Sequence, residues 1–134
     1  IAQRLLSEGC NVMLADIDHA SLAEVKSGFA KTYGKDNIDG VVMDVQSETA
    51  VIIAMKEMVA RFGGLDIVVN NAGITLAAPV EETTLDLWNK NVAILGTGYF
   101  LVGREGYKLL KDQGVGGSMM RTRPVSRWTN PDSG

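Results

Sequence analysis

Polar and small residues follow an apolar run near the middle of the chain. Residues 65–69 are apolar apart from one Asp and rich in β-branched side chains, and Asn70, Asn71, Ala72 and Gly73 come next. Such a run predicts a strand that is covered on both faces, as in a parallel sheet. Ligands of open parallel sheets bind just outside the carboxyl ends of the strands, where paired amides supply donors and acceptors. The same four residues are also typical of a simple turn, so both interpretations are open at this point.

Two carboxylates end the preceding predicted strands. Asp16 follows residues 12–15, and Asp44 follows residues 41–43. An acid at the first position can bind both hydroxyls of an adenosine ribose and would repel a 2′-phosphate, which favours NAD over NADP. Asp44 could meet the adenine edge. Each acid alone could instead be an ordinary turn or cap residue. Three successive strand ends with polar groups on one side of a sheet indicate a ligand site more strongly than any one of them.

Helical patterns alternate with these strands. The first is the end of a helix before Gly9, and the later ones begin at caps and end at glycines. Ser21 and Glu24 predict a capping box for a helix that ends at Gly34, and a second helix is expected from Ser47 to Gly63. A long helix over residues 85–109 should follow a cap at Thr83 or Thr84, with interruptions at Gly96 and Gly98. A last strand is expected at residues 118–120. The alternation predicts an α/β protein with a parallel sheet and right-handed crossovers.

The composition limits the function classes. At 134 residues the chain is at most one domain, and its net charge of −3 gives no reason to expect nucleic acid or an anionic membrane as a partner. Cys10 is the only cysteine, which fits a reducing, cytoplasmic location. His19 is the only histidine, so no metal site or Ser-His-Asp hydrolase is expected. Because the chain begins with Ile1 inside a helical pattern, we expect the start of the natural protein to be missing.

These motifs resemble the short-chain dehydrogenase/reductase family. Asn70, Asn71, Ala72 and Gly73 match the family's fourth-strand motif, Asp16 its second-strand acid, and Asp44 with Val45 its third-strand pair. The resemblance implies a partial Rossmann-like, doubly wound parallel sheet that lacks its first strand and its C-terminal strands. It also implies NAD as cofactor, with Asp16, Asp44, Val45, Asn71, Ala72 and Gly73 as the binding residues. Residues 98–114 further resemble the dehydrogenase domain of the fused rhamnulose-1-phosphate aldolase/alcohol dehydrogenases.

The chain departs from the family pattern at both ends. The Gly-rich pyrophosphate loop would precede Ile1, and the catalytic Ser and Tyr-x-x-x-Lys would lie beyond the fifth strand, so we expect no catalytic residue here. Tyr107 and Lys111 have the right spacing but precede that strand, which makes them chance neighbours. We expect residues 1–120 to be an incomplete dinucleotide-binding domain and residues 121–134 an irregular tail that resembles a reading-frame change.

Three functions are compatible with the sequence. The first is an NAD-dependent oxidoreductase, inactive as this chain alone, that in complete form acts on an alcohol, aldehyde or ketone and assembles as a homo-oligomer. The second is a non-catalytic remnant or partner subunit. The third is a phosphoacceptor signalling module in which Asp16 and Asp18 hold Mg²⁺. The third reading is disfavoured because Asn70 and Asn71 stand where that module needs an Asp acceptor.

Overall fold

The chain alternates helices and strands from end to end. The computed structural model describes residues 1–74 and 78–122. The elements are α1 (Ala2–Ser7), β1 (Val12–Asp16), α2 (His19–Tyr33), β2 (Ile38–Val42), α3 (Glu48–Phe62), β3 (Ile67–Asn70), a 3-10 turn (Val80–Glu82), α4 (Leu85–Val92), a π-helical segment (Ala93–Gly98), α5 (Tyr99–Gln113) and β4 (Ser118–Arg121). This order confirms the predicted α/β class.

The strands form two separate parallel pairs. β1 pairs with β2 in a register that sets Val12 beside Ile38. β3 pairs with β4 in a register that sets Ile67 beside Ser118. Within the described residues, no strand joins the two pairs, so β1 and β3 each have one side without a strand neighbour. This is the arrangement of a partial doubly wound sheet.

Two predicted boundaries are wrong for identifiable reasons. The cap of α2 is Asp18, whose carboxylate accepts from the N–H groups of Ala20 and Ser21, so Ser21 lies inside the helix and no Ser21–Glu24 capping box forms. β2 begins at Ile38, three residues earlier than predicted. The sequence did not indicate this start because Asp39 and Gly40 are poor strand formers. They are stabilised in the strand by residues distant in sequence, Asp39 by Lys26 and Arg61, and Gly40 by its pairing with Leu14 in β1.

Local capping signals are otherwise confirmed. The Ser47 hydroxyl accepts from the N–H of Ala50 (3.3 Å) at the start of α3. The Thr84 hydroxyl accepts from the N–H of Leu87 (3.2 Å) at the start of α4. Gly63 ends α3 in the left-handed conformation, with a φ of 83°, which favours glycine. These signals are readable because each depends on residues only three or four positions apart.

The predicted long helix is continuous but changes its hydrogen-bonding period. The interruption at Gly96 and Gly98 is a π-helical segment between α4 and α5. At Gly98 a Cβ atom would lie 2.7 Å from Val45 Cγ2, so the absence of a side chain lets the helix pack closely against the segment after β2. At Gly106 a Cβ would lie 2.7 Å from Val68 Cγ2, which brings α5 against β3.

A buried apolar cluster lies between α3, α5 and β3. Its members are apolar and come from four parts of the chain: Val45, Val51, Val68, Leu101 and Val102. Two hydrogen-bonded contacts hold α5 along β3. The amide of Asn70 donates to the carbonyl of Tyr99 (3.2 Å) at one end. At the other end, the Gln113 amide accepts from the N–H of Leu65 (2.8 Å) and donates to its carbonyl (2.7 Å).

The last strand extends one residue beyond the predicted strand, into the stretch predicted as tail. Arg121 is the last residue of β4, and the N–H of Thr122 donates to the carbonyl of Asn70 (3.3 Å). The rest of the predicted tail, residues 123–134, lies outside the described residues, as do residues 75–77. Among the helices of the described ranges, none is long and apolar enough to cross a membrane.

Candidate functional site

Asp16 ends β1 with an exposed carboxylate. Its Oδ1 accepts from the N–H of Asp18 (2.9 Å), so the side chain stabilises the turn into α2. Its main-chain carbonyl accepts from the N–H of Met43 (2.9 Å), which holds the segment after β2 beside the end of β1. Asp16 therefore has a turn role and remains exposed at the carboxyl end of the sheet.

The carboxylate of Asp18 caps the N-terminus of α2. The hydroxyl of Ser21 donates to Asp18 Oδ2 (2.8 Å), and Oδ1 accepts from the N–H of Ala20 (2.9 Å). The hydroxyl of Ser21, together with the N–H groups of Ser21 and Ala20, holds the pKa of Asp18 below its usual range. In the part of the chain that the structure describes, no group of three or more His, Cys, Asp or Glu side chains could hold a metal ion. The geometry therefore offers no support for a Mg²⁺ site at Asp16 and Asp18.

Asp44 and Val45 follow β2 with different exposures. The Oδ1 of Asp44 accepts from the N–H of Gln46 (2.9 Å), and this carboxylate is half-buried. The side chain of Val45 is 9% exposed and belongs to the core cluster, where it contacts Gly98. Any contact of Val45 with a ligand would therefore come from its main chain.

The two adjacent amides at the end of β3, Asn70 and Asn71, have different environments. Asn70 is buried and is used by the fold, since its side chain binds the carbonyl of Tyr99. Asn71 is exposed, and its Oδ1 accepts from the hydroxyl of Thr122 (2.7 Å). Ala72 and Gly73 follow as exposed residues, with Leu95 next to Gly73. Asn71 is thus the amide of the pair that faces solvent.

A groove lies between β1 and β3. It has a volume of about 920 Å³, and both Asp16 and Asn71 line it. Asp44, Val45, Ala72 and Gly73 are not among its lining residues. The structure therefore brings the acid after β1 and the exposed amide after β3 to one groove, and it leaves the other four residues outside it.

Sequence reasoning missed two groups at this edge. Thr122 lies in the stretch predicted as irregular tail, yet its hydroxyl holds Asn71. The guanidinium of Arg121 lies 5.5 Å from the ring centroid of Tyr99, in cation–π contact. Neither residue belongs to a recognisable motif, and both contacts join residues that are distant in sequence.

Tyr107 and Lys111 lie on the C-terminal half of α5, and both are exposed. This half of the helix leads to Gln113, which binds Leu65 just before β3. The strand-end polar groups lie at the other end of β3, where Asn70 binds Tyr99. The Tyr107–Lys111 pair therefore lies on the part of α5 that is nearer the opposite end of β3 from Asn71.

The fold and this edge define a class of protein. Parallel strands alternate with helices, and exposed polar groups follow the strands where ligands of such sheets bind. A model of the short chain dehydrogenase family matches residues 1–122. The chain belongs to the short-chain dehydrogenase/reductase family, a family of oxidoreductases.

The chain is also similar to known proteins, one in sequence and two in fold. The uncharacterized oxidoreductase YuxG of Bacillus subtilis is 42% identical over 118 residues, which is 88% of this chain and 17% of that protein. A short-chain dehydrogenase/reductase of Burkholderia phymatum, solved in complex with NAD, matches 92% of this chain and 43% of its own with a TM-score of 0.86 and 22% identity. An alcohol dehydrogenase of Thermococcus sibiricus, complexed with 5-hydroxy-NADP, matches 90% of this chain and 50% of its own with a TM-score of 0.81 and 22% identity.

The two solved structures show the fold alone at this level of identity. The chain spans half or less of the length of each of these three proteins. Their names give no support to the narrower resemblance to a fused rhamnulose-1-phosphate aldolase/alcohol dehydrogenase.

Proposed function

We propose that this chain contributes part of the cofactor site of an NAD-dependent oxidoreductase. The complete protein would transfer a hydride between nicotinamide and an alcohol, aldehyde or ketone. The observation that carries the proposal is the placement of Asp16 and Asn71 at one groove, each exposed and each at the carboxyl end of a strand. A carboxylate that accepts and an amide that can donate match the hydroxyl groups of a dinucleotide.

Each proposed residue has a role that its environment allows. Asp16 would accept hydrogen bonds from the adenosine ribose, and Asp44 would meet the adenine edge. Asn71 would bind the nicotinamide ribose, oriented by the hydroxyl of Thr122 (2.7 Å). Ala72 and Gly73 would let the cofactor approach the main chain, and Val45 would contribute main-chain groups only. Bound cofactor supplies the hydride chemistry, and we assign no catalytic residue to the described ranges.

The choice of NAD over NADP depends on Asp16. A 2′-phosphate would approach its carboxylate, and two like charges at contact distance repel by several kcal/mol at the dielectric of a protein surface. The solved relatives do not decide this point, since one holds NAD and the other an NADP derivative.

The test uses a full-length chimera in which residues 1–122 replace the matching half of a short-chain dehydrogenase. Dissociation constants for NAD and NADP are measured in the parent and in Asp16→Ala. The parent should prefer NAD, and the exchange should shift the ratio toward NADP by on the order of tenfold or more. Asp36→Ala is the matched control, because Asp36 is an exposed acid in the turn between α2 and β2 and should leave the ratio unchanged. A parent that prefers NADP, or an unchanged ratio in Asp16→Ala, contradicts the assignment.

We further propose that the complete protein is a cytoplasmic homo-oligomer. Several large apolar side chains on α4 and α5 are exposed, among them Leu85, Trp88, Phe100 and Tyr107. Exposed apolar patches of this kind are typical of protein interfaces. Light scattering on the chimera should give a mass that is a multiple of the monomer mass. The Trp88→Glu variant should give a lower mass because a charge would replace an apolar side chain in the interface.

A further inference from the structure

A network of charged side chains joins α5 to the start of α3. The Nη2 of Arg104 donates to the carboxylate of Glu48, the first residue of α3. The Nε of Arg104 donates to the carboxylate of Glu105 (2.7 Å), which also accepts from Lys108 Nζ (2.8 Å). None of these four side chains lines the groove or belongs to the proposed cofactor contacts. The network therefore needs a separate explanation.

The guanidinium of Arg104 is restrained by its own helix. It lies 5.3 Å from the ring centroid of Phe100, one turn earlier in α5, in cation–π contact. The carboxylate of Glu105, which is largely buried, holds its Nε. A guanidinium that is already held loses little further conformational entropy when it binds a third group. The contact with Glu48 should therefore stabilise more than an isolated surface ion pair does.

The turn between β2 and α3 has its shape from local bonds. The Oδ1 of Asp44 accepts from the N–H of Gln46 (2.9 Å), and the carbonyl of Asp44 accepts from the N–H of Ser47 (3.0 Å). These bonds join residues of the same turn, so they fix its conformation but not its place relative to the rest of the protein.

The place of this turn depends on two contacts with residues far along the chain. Val45 packs against Gly98, where a Cβ would lie 2.7 Å from Val45 Cγ2. Glu48, which follows the turn, binds Arg104, further along the same helical stretch. One contact alone would let the turn tilt about it, whereas two contacts at separate points restrict tilting as well as sliding. Arg104 therefore helps to determine where Asp44 and Val45 lie.

We propose that Arg104 is a positioning residue for the adenine half of the cofactor site. Through Glu48 it holds the turn that carries Asp44 and Val45 at the adenine edge, and it touches no atom of the cofactor itself. This inference rests on the proposed function, because it needs that turn to contact the adenine. The nicotinamide half depends on Asn71, which is held by Thr122 instead.

The test uses the full-length chimera that contains residues 1–122 and treats the two halves of the cofactor as separate ligands. Dissociation constants for NAD, adenosine monophosphate and nicotinamide mononucleotide are measured by NMR titration in the parent and in Arg104→Ala. The exchange should weaken the binding of NAD and of adenosine monophosphate by about three- to fivefold. The affinity for nicotinamide mononucleotide should not change. A general loss of stability would weaken both halves alike, so this difference separates positioning from a purely structural role.

Lys108→Ala is the matched control for Arg104→Ala. It removes the other cation that binds Glu105, but it leaves the bond between Arg104 and Glu48 in place. Its affinity for adenosine monophosphate should therefore equal that of the parent.

Glu48→Gln breaks the same ion pair from the α3 side, and it decides the question if Arg104→Ala does not fold. It should weaken the binding of adenosine monophosphate and spare that of nicotinamide mononucleotide. The double variant should bind adenosine monophosphate no more weakly than Arg104→Ala alone, because both changes remove one interaction.

Four outcomes overturn this inference and leave the proposed function intact. They are equal weakening of the two half-ligands, unchanged binding of adenosine monophosphate in a folded variant of Arg104 or Glu48, additive losses in the double variant, and a loss in Lys108→Ala as large as that in Arg104→Ala. A parent chimera that binds neither NAD nor adenosine monophosphate overturns the proposed function, and this inference with it.

Discussion

Replacing Asp39 by Asn should destabilise the chain by about 1–2 kcal/mol at neutral pH. Asp39 lies in β2 and joins it to two helices. Its Oδ1 accepts from Lys26 Nζ of α2 (2.6 Å) and from the N–H of Gly40 (2.8 Å). Its Oδ2 accepts from Arg61 Nε of α3 (3.2 Å). Asn keeps the shape but removes the charge, and its NH₂ group would face a cation.

The size of the expected destabilisation depends on how exposed Asp39 and its two cationic partners are. Hydrogen bonds to charged groups contribute about 1.5–3 kcal/mol when buried, whereas exposed ion pairs contribute about 0.2–1 kcal/mol. The Asp39 side chain is 28% exposed and both of its cationic partners are partly exposed, so each contact should lie nearer the lower range. With a urea m-value of roughly 2 kcal/mol/M, the expected loss lowers the urea midpoint by about 0.5–1 M.

The effect should depend on pH with a defined sign. The side chain of Lys26, then the N–H of Gly40 and the side chain of Arg61, holds the pKa of Asp39 below its usual range. The folded-state pKa is therefore below the unfolded-state value of about 3.9. The stabilisation is complete above the unfolded-state pKa and is lost as the pH falls through the folded-state pKa. The difference between parent and Asp39→Asn should shrink from about pH 5 to about pH 3.

The assay is urea unfolding of the full-length chimera that contains residues 1–122, followed by circular dichroism. Asp36→Asn is the matched control: Asp36 is 84% exposed and lies 3.9 Å from Arg61, so its midpoint should barely move. Equal midpoints for the two variants would refute the reasoning. So would a loss in Asp39→Asn that stays the same at low pH.

Three further outcomes are expected. Tyr107→Phe in a complete homologue should leave turnover within a few-fold, since no proton transfer depends on it, and a loss of roughly a hundredfold would move the active site to α5. The 134-residue chain alone should show no tight NAD binding by calorimetry and only a weak thermal transition, because two interior strand edges lack partners; a cooperative melt with micromolar binding would contradict this. Gly98→Ala should destabilise the protein by about 1–2 kcal/mol in urea melts, because the new Cβ would lie 2.7 Å from Val45. Gly96→Ala is the control and should be neutral or stabilising, because its Cβ would lie 3.7 Å from Val92. Equal effects of the two substitutions would contradict the packing argument.

Local signals in the sequence were sufficient for most of the fold. The caps at Ser47 and Thr84 and the stop at Gly63 are determined by neighbours within one helical turn, and the structure confirms them. The start of β2 was not predictable in this way, because Lys26 and Arg61 stabilise Asp39 from distant parts of the chain. The sequence therefore predicted elements well where the stabilising contacts are short in range.

The candidate site shows the same limit. The sequence identified which strand ends carry polar groups, but it could not distinguish Asn70 from Asn71. Asn70 is the last residue of β3 and is buried, whereas Asn71 follows the strand and is exposed, and this difference depends on where β3 ends. Similarly, the burial of Val45 depends on the close approach of Gly98, more than fifty positions later.

The two contacts that hold α5 against β3 fix the number of helical residues between them. Tyr99 is bonded to Asn70, the last residue of β3, and Gln113 is bonded to Leu65, which precedes the strand. Fourteen helical steps at 1.5 Å span about 21 Å, and the strand residues between these ties span about 17 Å. A one-residue insertion or deletion between Tyr99 and Gln113 would shift one tie by about 100° around the helix and break it. Length changes in related chains should therefore fall outside this interval, in the loops before α4 and after α5.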